Sequence, residues 1–345
     1  MQMKKRRITL NDVAKHAGVS RSTASLVVQE SPKIKPSTTQ KVLNSMRELG
    51  YVYDRMAANM RAQKSTTIGI IITDVGNPYY TDLLKALHTA LEDAGYTVFL
   101  ATTYDDEDRQ NLLIGRMLEH RVSGMIICPV SNIKEKSIEL INHLDIPVVM
   151  AVRENLDIRH DYIGIDYEEG MYLGTKHLLE KGHTNIAFIG GHAHSVAWQQ
   201  RMIGFKKALE ESHIDIERTT ILETDVTREA SKSAVLNMLA TGYRPSAIVC
   251  FNDLIAHGVM LGLGQAGIKV GEDIALIGFD NTNESSWFSP ALTTVSSFPS
   301  EIGNHAAELL KNRLNNENME RQRIILQPEL VVRDTCKGGE YYASR

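Results

Sequence analysis

At 345 residues, 43% apolar and 23% charged, the chain has an ordinary globular composition and length enough for two or three compact units. Its apolar runs near 68 to 72, 124 to 130 and 247 to 251 are too short to span a bilayer. Met1 to Arg7 is basic with no apolar signal core behind it, so a cytoplasmic protein without a membrane partner is expected. The net charge of −4 hides an asymmetry: residues 1–63 hold 12 Lys and Arg against 4 acids, net +8, while the remaining 282 residues hold 26 against 38, net −12. A basic head on an acidic body suits binding a polyanion with one end only. Cys128, Cys250 and Cys336 are odd in number and lack CxxC spacing, so no disulfide framework or zinc site is indicated.

The first predicted elements lie in Ile8 to Val28. Leu10, Val13, Ala14 and Ala17 have helical spacing, Gly18-Val19-Ser20 interrupts them, and a second helical run covers Arg21 to Val28. Gly18 can take the positive φ of a helix end, Val19 can plug the angle between the helices, and Ser20 can cap the second. This reads as a helix-turn-helix, with a helical hairpin in some other core as the alternative for the pattern alone. Ala24, Val27 and Val28 can face inward, leaving Arg21, Ser22, Thr23, Ser25 and Leu26 outward, where Arg21 is long enough to reach a base edge. A third helix is expected over Ser37 to Leu49. Ser37 and Gln40 have capping-box spacing, Val42, Leu43, Met46 and Leu49 form its apolar face, and Gly50 supplies the stop. Residues 51–65 follow as a linker whose helix formers, around Met56 to Ala62, cover only about two turns and need something packed on them to be ordered.

From Ile68 the period changes. Strand-like runs IGIIITD, YTVFLAT, GMIICPV and PVVMAV alternate with helical stretches at 79–94, 108–121 and 133–144. A second series runs through NIAFIGG, AIVCFND and IALIGFD. Continuous apolar strands between helices predict two successive α/β halves with parallel sheets, whose ligands sit beyond the carboxyl ends of the strands. The residues there are Asp74, Asn77, Tyr79, Tyr80 and Arg153 in the first half and Arg201, Asn252, Asp253 and Asp280 in the second. Forked, amide and carboxylate groups beside aromatic rings suit a polyhydroxylated or heterocyclic small molecule; any single Asp or Asn at such an end is as readily a helix cap.

Two patterns compete for other functions. Gly262, Gly264 and Gly267 match GxGxxG, yet a helical run separates them from the strand, so they read as closing a helix. His192 and His194 form an HxH pair with no third ligand nearby and read as a loop lip. No metal, cofactor or catalytic set is expected.

Taken together, TLNDVAKHAGVSRSTASLVV, LGYVYDRMAANMR, IGIIITDVGNPYYTDLLKAL, YIGIDYEEGMYLGTKHLLEKGHTNIAFIGG, RMIGF, FNDLIAHGVMLGL and IALIGFDN make the chain resemble the lactose-repressor family of bacterial transcription regulators, from Ile8 to about Arg333. The resemblance implies an N-terminal three-helix head (1–50) and hinge helix (51–65). After these come two periplasmic-binding-protein-like α/β subdomains (66–334) and a tail (335–345). Chain crossings would divide the body into 66–164 with 294–322 and 165–293 with 323–334. The resemblance also implies a homodimer on a near-palindromic operator duplex, with Arg21, Ser22 and Leu26 at base edges and Thr9, Ser20, Thr23, Ser25 and Thr38 near phosphates. The hinge residues Arg55, Ala57, Met60 and Arg61 would lie on the DNA, Met60 as the minor-groove wedge. Tyr53 and Asp54 depart from the family's Pro-Asn. The implied effector site comprises Asn77, Tyr79, Tyr80, Arg153, Arg201, Asn252 and Asp280, with Asp166 and Trp198 as further candidates. A sugar or sugar phosphate is the expected effector, with a nucleoside as the other possibility. A sugar-binding receptor and an α/β enzyme are the rival readings; the basic head without a secretion signal speaks against the first, and the lack of a nucleophile and base at a recognisable spacing against the second.

Overall fold

The computed structural model describes residues 8–28, 31–53, 65–316 and 318–336. The chain divides into two compact units, Met1–Ser65 and Thr66–Arg345.

In the first unit Thr9 caps helix α1 (Leu10–His16): its hydroxyl accepts from Asp12 N at 3.3 Å, and the Asp12 carboxylate accepts from Thr9 N at 2.9 Å. Gly18 takes φ +68° beyond the helix end, and Ser20 Oγ accepts from Thr23 N at 3.1 Å to cap α2 (Arg21–Val28). Helix α3 (Pro36–Leu49) starts earlier than its spacing suggests, because Pro36 is pre-set for the first helical position. Ser37 therefore sits inside the first turn, and the expected Ser37–Gln40 box gives way to a Gln40–Asn44 side-chain bond of 3.0 Å. Gly50 closes the helix at φ +62°. Val13, Ala14, Ala24, Val27 and Val42 make the core, sealed by Leu10, Val19, Met46 and Leu49. Leu43, placed on that apolar face by spacing, is 40% exposed instead.

The second unit is two α/β lobes. Among the described residues the first lobe has a sheet of order β11-β5-β4-β3-β1-β2, with β1 Thr67–Ile72, β2 Thr97–Thr102, β3 Gly124–Ile127, β4 Val148–Val152, β5 Asp161–Ile165 and β11 Arg323–Leu326. The second has order β12-β10-β9-β8-β6-β7, with β6 Ile186–Ile189, β7 Thr220–Leu222, β8 Ala247–Cys250, β9 Ala275–Asp280, β10 Thr293–Ser296 and β12 Glu329–Val331. All pairings are parallel except β10 with β12. Helices α4 (Pro78–Glu92), α5 (Glu107–Glu119), α6 (Glu135–Asn142) and α11 (Pro299–Asn315) cover the first sheet. Helices α7 (Tyr167–Glu180), α8 (Val196–Glu211), α9 (Arg228–Ala240) and α10 (Asp253–Gln265) cover the second.

The chain crosses between lobes after β5, after β10 and after β11. The last two crossings fall a few residues later than expected: Thr293 to Ser296 pair with β9 in the second sheet, and Arg323 to Leu326 pair with β5 in the first. Gly204 on α8 lets the helices of the second lobe close up, since a Cβ there would lie 2.0 Å from Glu168 O. Gly262 and Gly264 lie within α10 and Gly267 (φ +73°) follows it, so these glycines do end a helix.

Candidate functional site

On the first unit, Ser20, Arg21 and Ser22 at the start of α2 are exposed, whereas Thr23, Ser25 and Leu26 are half-buried. Ser20 Oγ also meets Ser22 Oγ at 2.7 Å and Thr23 Oγ1 at 2.8 Å, so the small hydroxyls form one cluster next in sequence to the exposed Arg21. Thr9 is the cap of α1, and Thr38 is half-buried in the first turn of α3. Arg55, Ala57, Met60 and Arg61 lie outside the described residues, as does Asp54.

Between the lobes, at the carboxyl ends of both sheets, lies a cleft of about 340 Å³. Of the residues expected there, Asn77, Tyr79, Tyr80, Arg153, Arg201, Asn252 and Asp280 all line it. Asp166 and Trp198 do not. Asp166 caps α7 by accepting from Glu169 N, and Trp198 packs edge-on against Phe188 of β6. Asn77 and Asn252 serve two ends: each caps the next helix through its carbonyl oxygen, accepting from Tyr79 N and Ile255 N at 3.0 Å, which leaves the amide N–H groups for the cleft.

The inner wall belongs to the second lobe. Arg201 is 4% exposed, and its guanidinium lies 4.2 to 4.4 Å from the ring centroids of Tyr167, Phe251 and Phe279. Nη1 donates to Ala197 O at 3.1 Å, while Nε has no hydrogen-bond partner. Burial lowers its pKa, opposed by Tyr167 and Asp280, yet a guanidinium stays charged at neutral pH. Asp280 is buried too; burial pushes its carboxyl up to about 8, although Arg201 pulls it down. Ser297, on a crossing segment, donates to Asp280 Oδ1 at 3.3 Å. Behind it, Asp253 accepts from Thr282, Ser285 and Thr294, fixing the floor. The Tyr79 hydroxyl is buried without a partner, and burial raises its pKa well above the ordinary value.

The rim belongs mainly to the first lobe. Arg153 N donates to Ala151 O at 2.8 Å, closing a γ-turn around Val152 at φ +71°. That conformation is strained for a β-branched residue, and the hydroxyls of Tyr162 and Tyr167 hold it by donating to Val152 O. The turn aims Arg153 at Asp105 Oδ1, 2.5 Å away, and Pro129 O. Burial opposes the charge on Arg153, but Tyr80 and Asp105 outweigh it and raise its pKa. Asp105 is lowered: its burial is overcome by Arg153 and Ser131. On the opposite lip His192 stacks on His194 with centroids 5.5 Å apart, and His192 Nε2 meets Asp225 Oδ1 at 2.9 Å. Both histidines line the cleft. Among the described residues no group of three or more His, Cys, Asp or Glu is arranged to hold a metal.

Tyr104, Asp105, Tyr167, Asp225 and Phe251 line the cleft without having been singled out from sequence. Phe251 follows its strand end directly and Tyr167 follows its own by two residues, a signal that could have found them.

The family profile for bacterial regulatory proteins of the lacI family matches residues 9–54, and that for the periplasmic binding protein-like domain matches 175–336. The transcriptional repressor PurR of Vibrio vulnificus (strain CMCP6) is 34% identical over 330 residues, 95% of this chain and 98% of that protein. The lac repressor dimer bound to operator and the anti-inducer ONPF superposes with a TM-score of 0.82 at 26% identity, over 96% of this chain and 99% of that one. The CelR–cellobiose complex does so at 0.71 and 26%, over 95% and 100%. The chain belongs to the lacI family of bacterial regulatory proteins and is a DNA-binding transcriptional repressor with an effector-binding domain, not an enzyme.

Proposed function

We propose that the effector is an uncharged sugar and that the protein acts in the cytoplasm as a homodimer on a near-palindromic operator, governing sugar use. The observation that carries the sugar reading is Arg201: a buried guanidinium with an unsatisfied N–H, ringed by three aromatic faces and facing a largely protonated Asp280. Adjacent hydroxyls of a sugar ring accept from the one, bond to the other, and lay their C–H face on the rings. Phosphate is disfavoured, because Asp74, Asp105 and Asp225 also line the cleft and Arg153 is already neutralised by Asp105. The solved CelR complex with cellobiose shows a sugar in a relative of the same architecture. On the DNA side, exposed Arg21 and Ser22 on α2 support the base-reading role of that helix, with Leu26 beside them.

The test combines thermal-shift screening of the full chain against neutral sugars, their phosphates and nucleosides with operator binding on duplexes selected from a random pool. A neutral sugar should raise the melting temperature and change operator affinity. Arg201→Ala should abolish that response and retain operator binding. Arg21→Ala should relax base preference at one position per half-site, costing about 1–3 kcal/mol, with the ligand response intact. A nucleoside or sugar phosphate as the sole stabilising ligand would overturn the proposal.

A further inference from the structure

The polar groups of the cleft fall into two levels, and the outer one has no task if the ligand is a single ring. Arg201, Asp280, Asn252, Phe251, Tyr79 and Tyr167 form the inner level. The outer level has aromatic faces on both lips: Tyr104 on the first lobe, 61% exposed, and the stacked His192–His194 pair on the second. Tyr104 and Asp105 are consecutive non-glycine residues at φ +52° and +60°. This costly arrangement is held by Tyr104 N donating to Thr73 O at 2.7 Å and Asp105 N to Thr103 Oγ1 at 3.2 Å. Nothing in the packing of the first lobe calls for Tyr104: its ring is largely in solvent, with Arg109 over one face at 4.9 Å.

The cavity also continues outward. A smaller space of about 70 Å³ shares Ser131, Arg153 and His194 with the main cleft, and adds Asn132, Glu154 and Asn155. The main cleft, at about 340 Å³, runs from the inner wall out to Tyr104, His192 and His194, so it extends past the groups a single ring would meet at Arg201 and Asp280.

Resting on the sugar reading above, we infer that the natural ligand is a neutral disaccharide whose second ring lies between Tyr104 and the His192–His194 pair. Its hydroxyls are within reach of rim groups that already have partners, Arg153 paired with Asp105 and His192 bonded to Asp225. With Arg153 matched by Asp105 and a further acidic residue, Asp225, on the opposite lip, that position suits a neutral sugar ring better than an anionic group.

The experiment is calorimetric titration of the full chain with maltose, cellobiose, lactose, trehalose and sucrose, and with glucose, galactose and fructose, repeated on Tyr104→Ala and His194→Ala. One disaccharide should bind about tenfold or more tighter than either of its component rings, as aromatic stacking of a second ring allows, and that ratio should fall toward one in both variants. A monosaccharide that binds as tightly as every disaccharide overturns the outer subsite and leaves the sugar reading standing. So does a ratio unchanged in both variants. Failure of every sugar, large or small, to bind overturns both.

Discussion

Two arginines enter one cleft from opposite lobes and share little except their charge. Arg153, on the rim, is held by a strained turn and matched to Asp105 and a backbone carbonyl, so its hydrogen bonds are already formed. Arg201, on the inner wall, has aromatic rings on several sides and an unsatisfied N–H, and among the described residues no ion-pair partner. The first has its electrostatic partner built into the protein; the second is left for a ligand to complete. Rigid placement at the rim and unmet demand on the wall divide the labour of orientation and affinity.

That division can be broken by mutation. Arg201→Ala removes charge-assisted bonds that only the ligand completes, and effector affinity measured by calorimetry should fall about 100-fold, or about 2.7 kcal/mol. Arg153→Ala should cost about tenfold. It should also lower the unliganded melting temperature, because Asp105 loses its partner. Equal losses in affinity at the two positions would erase the distinction drawn here.

Acidity sharpens the same contrast. Asp280 has a folded pKa of about 8 against 3.8 for the free group, so the stability linked to its protonated form is complete below about pH 4 and lost as pH rises through 8. Asp253, pushed up to about 6 by burial, adds to the lower part of that window. The melting temperature of the unliganded protein should therefore carry a declining contribution between about pH 4 and 8 that levels off above 8, and Asp280→Asn should flatten it; an unchanged slope would show that Asp280 does not carry it.

The smallest effect lies outside the cleft. His257 is 2% exposed, neither ring nitrogen has a hydrogen-bond partner, and burial together with Arg228 lowers its pKa to about 4 from 6.5. Its contribution is present above 6.5 and lost as pH falls through 4. His257→Leu should lessen acid destabilisation in that interval without altering the slope between pH 6.5 and 8, as thermal melts at several pH values would show.

Much of this was legible in the residues. Gly18 and Ser20 announced the turn, continuous apolar runs announced the parallel strands, and the polar residues after them announced most of the inner wall. What escaped did so for identifiable reasons. Tyr104 and Asp105 sit in TTYDDED, which reads as an unremarkable acidic loop, because positive φ at non-glycine residues leaves no mark in composition. Without the longer continuous apolar runs that marked equally short strands such as β3, β6 and β8, β10, β11 and β12 read TTVS, RIIL and ELV, mixed polar and apolar stretches. Their assignment depends on pairing with strands more than a dozen residues away in sequence or in the other half of the body. Asp166 and Trp198 followed chain position correctly, but one turned to its helix and the other to the core.

The three crossings between the lobes bear on how a bound molecule is felt within the body. A body joined by a single strand could twist freely, whereas here the lobes are tied together at three separate points of the chain. Because the cleft takes its lining from both lobes, an occupant that touches both walls pulls on all three ties at once.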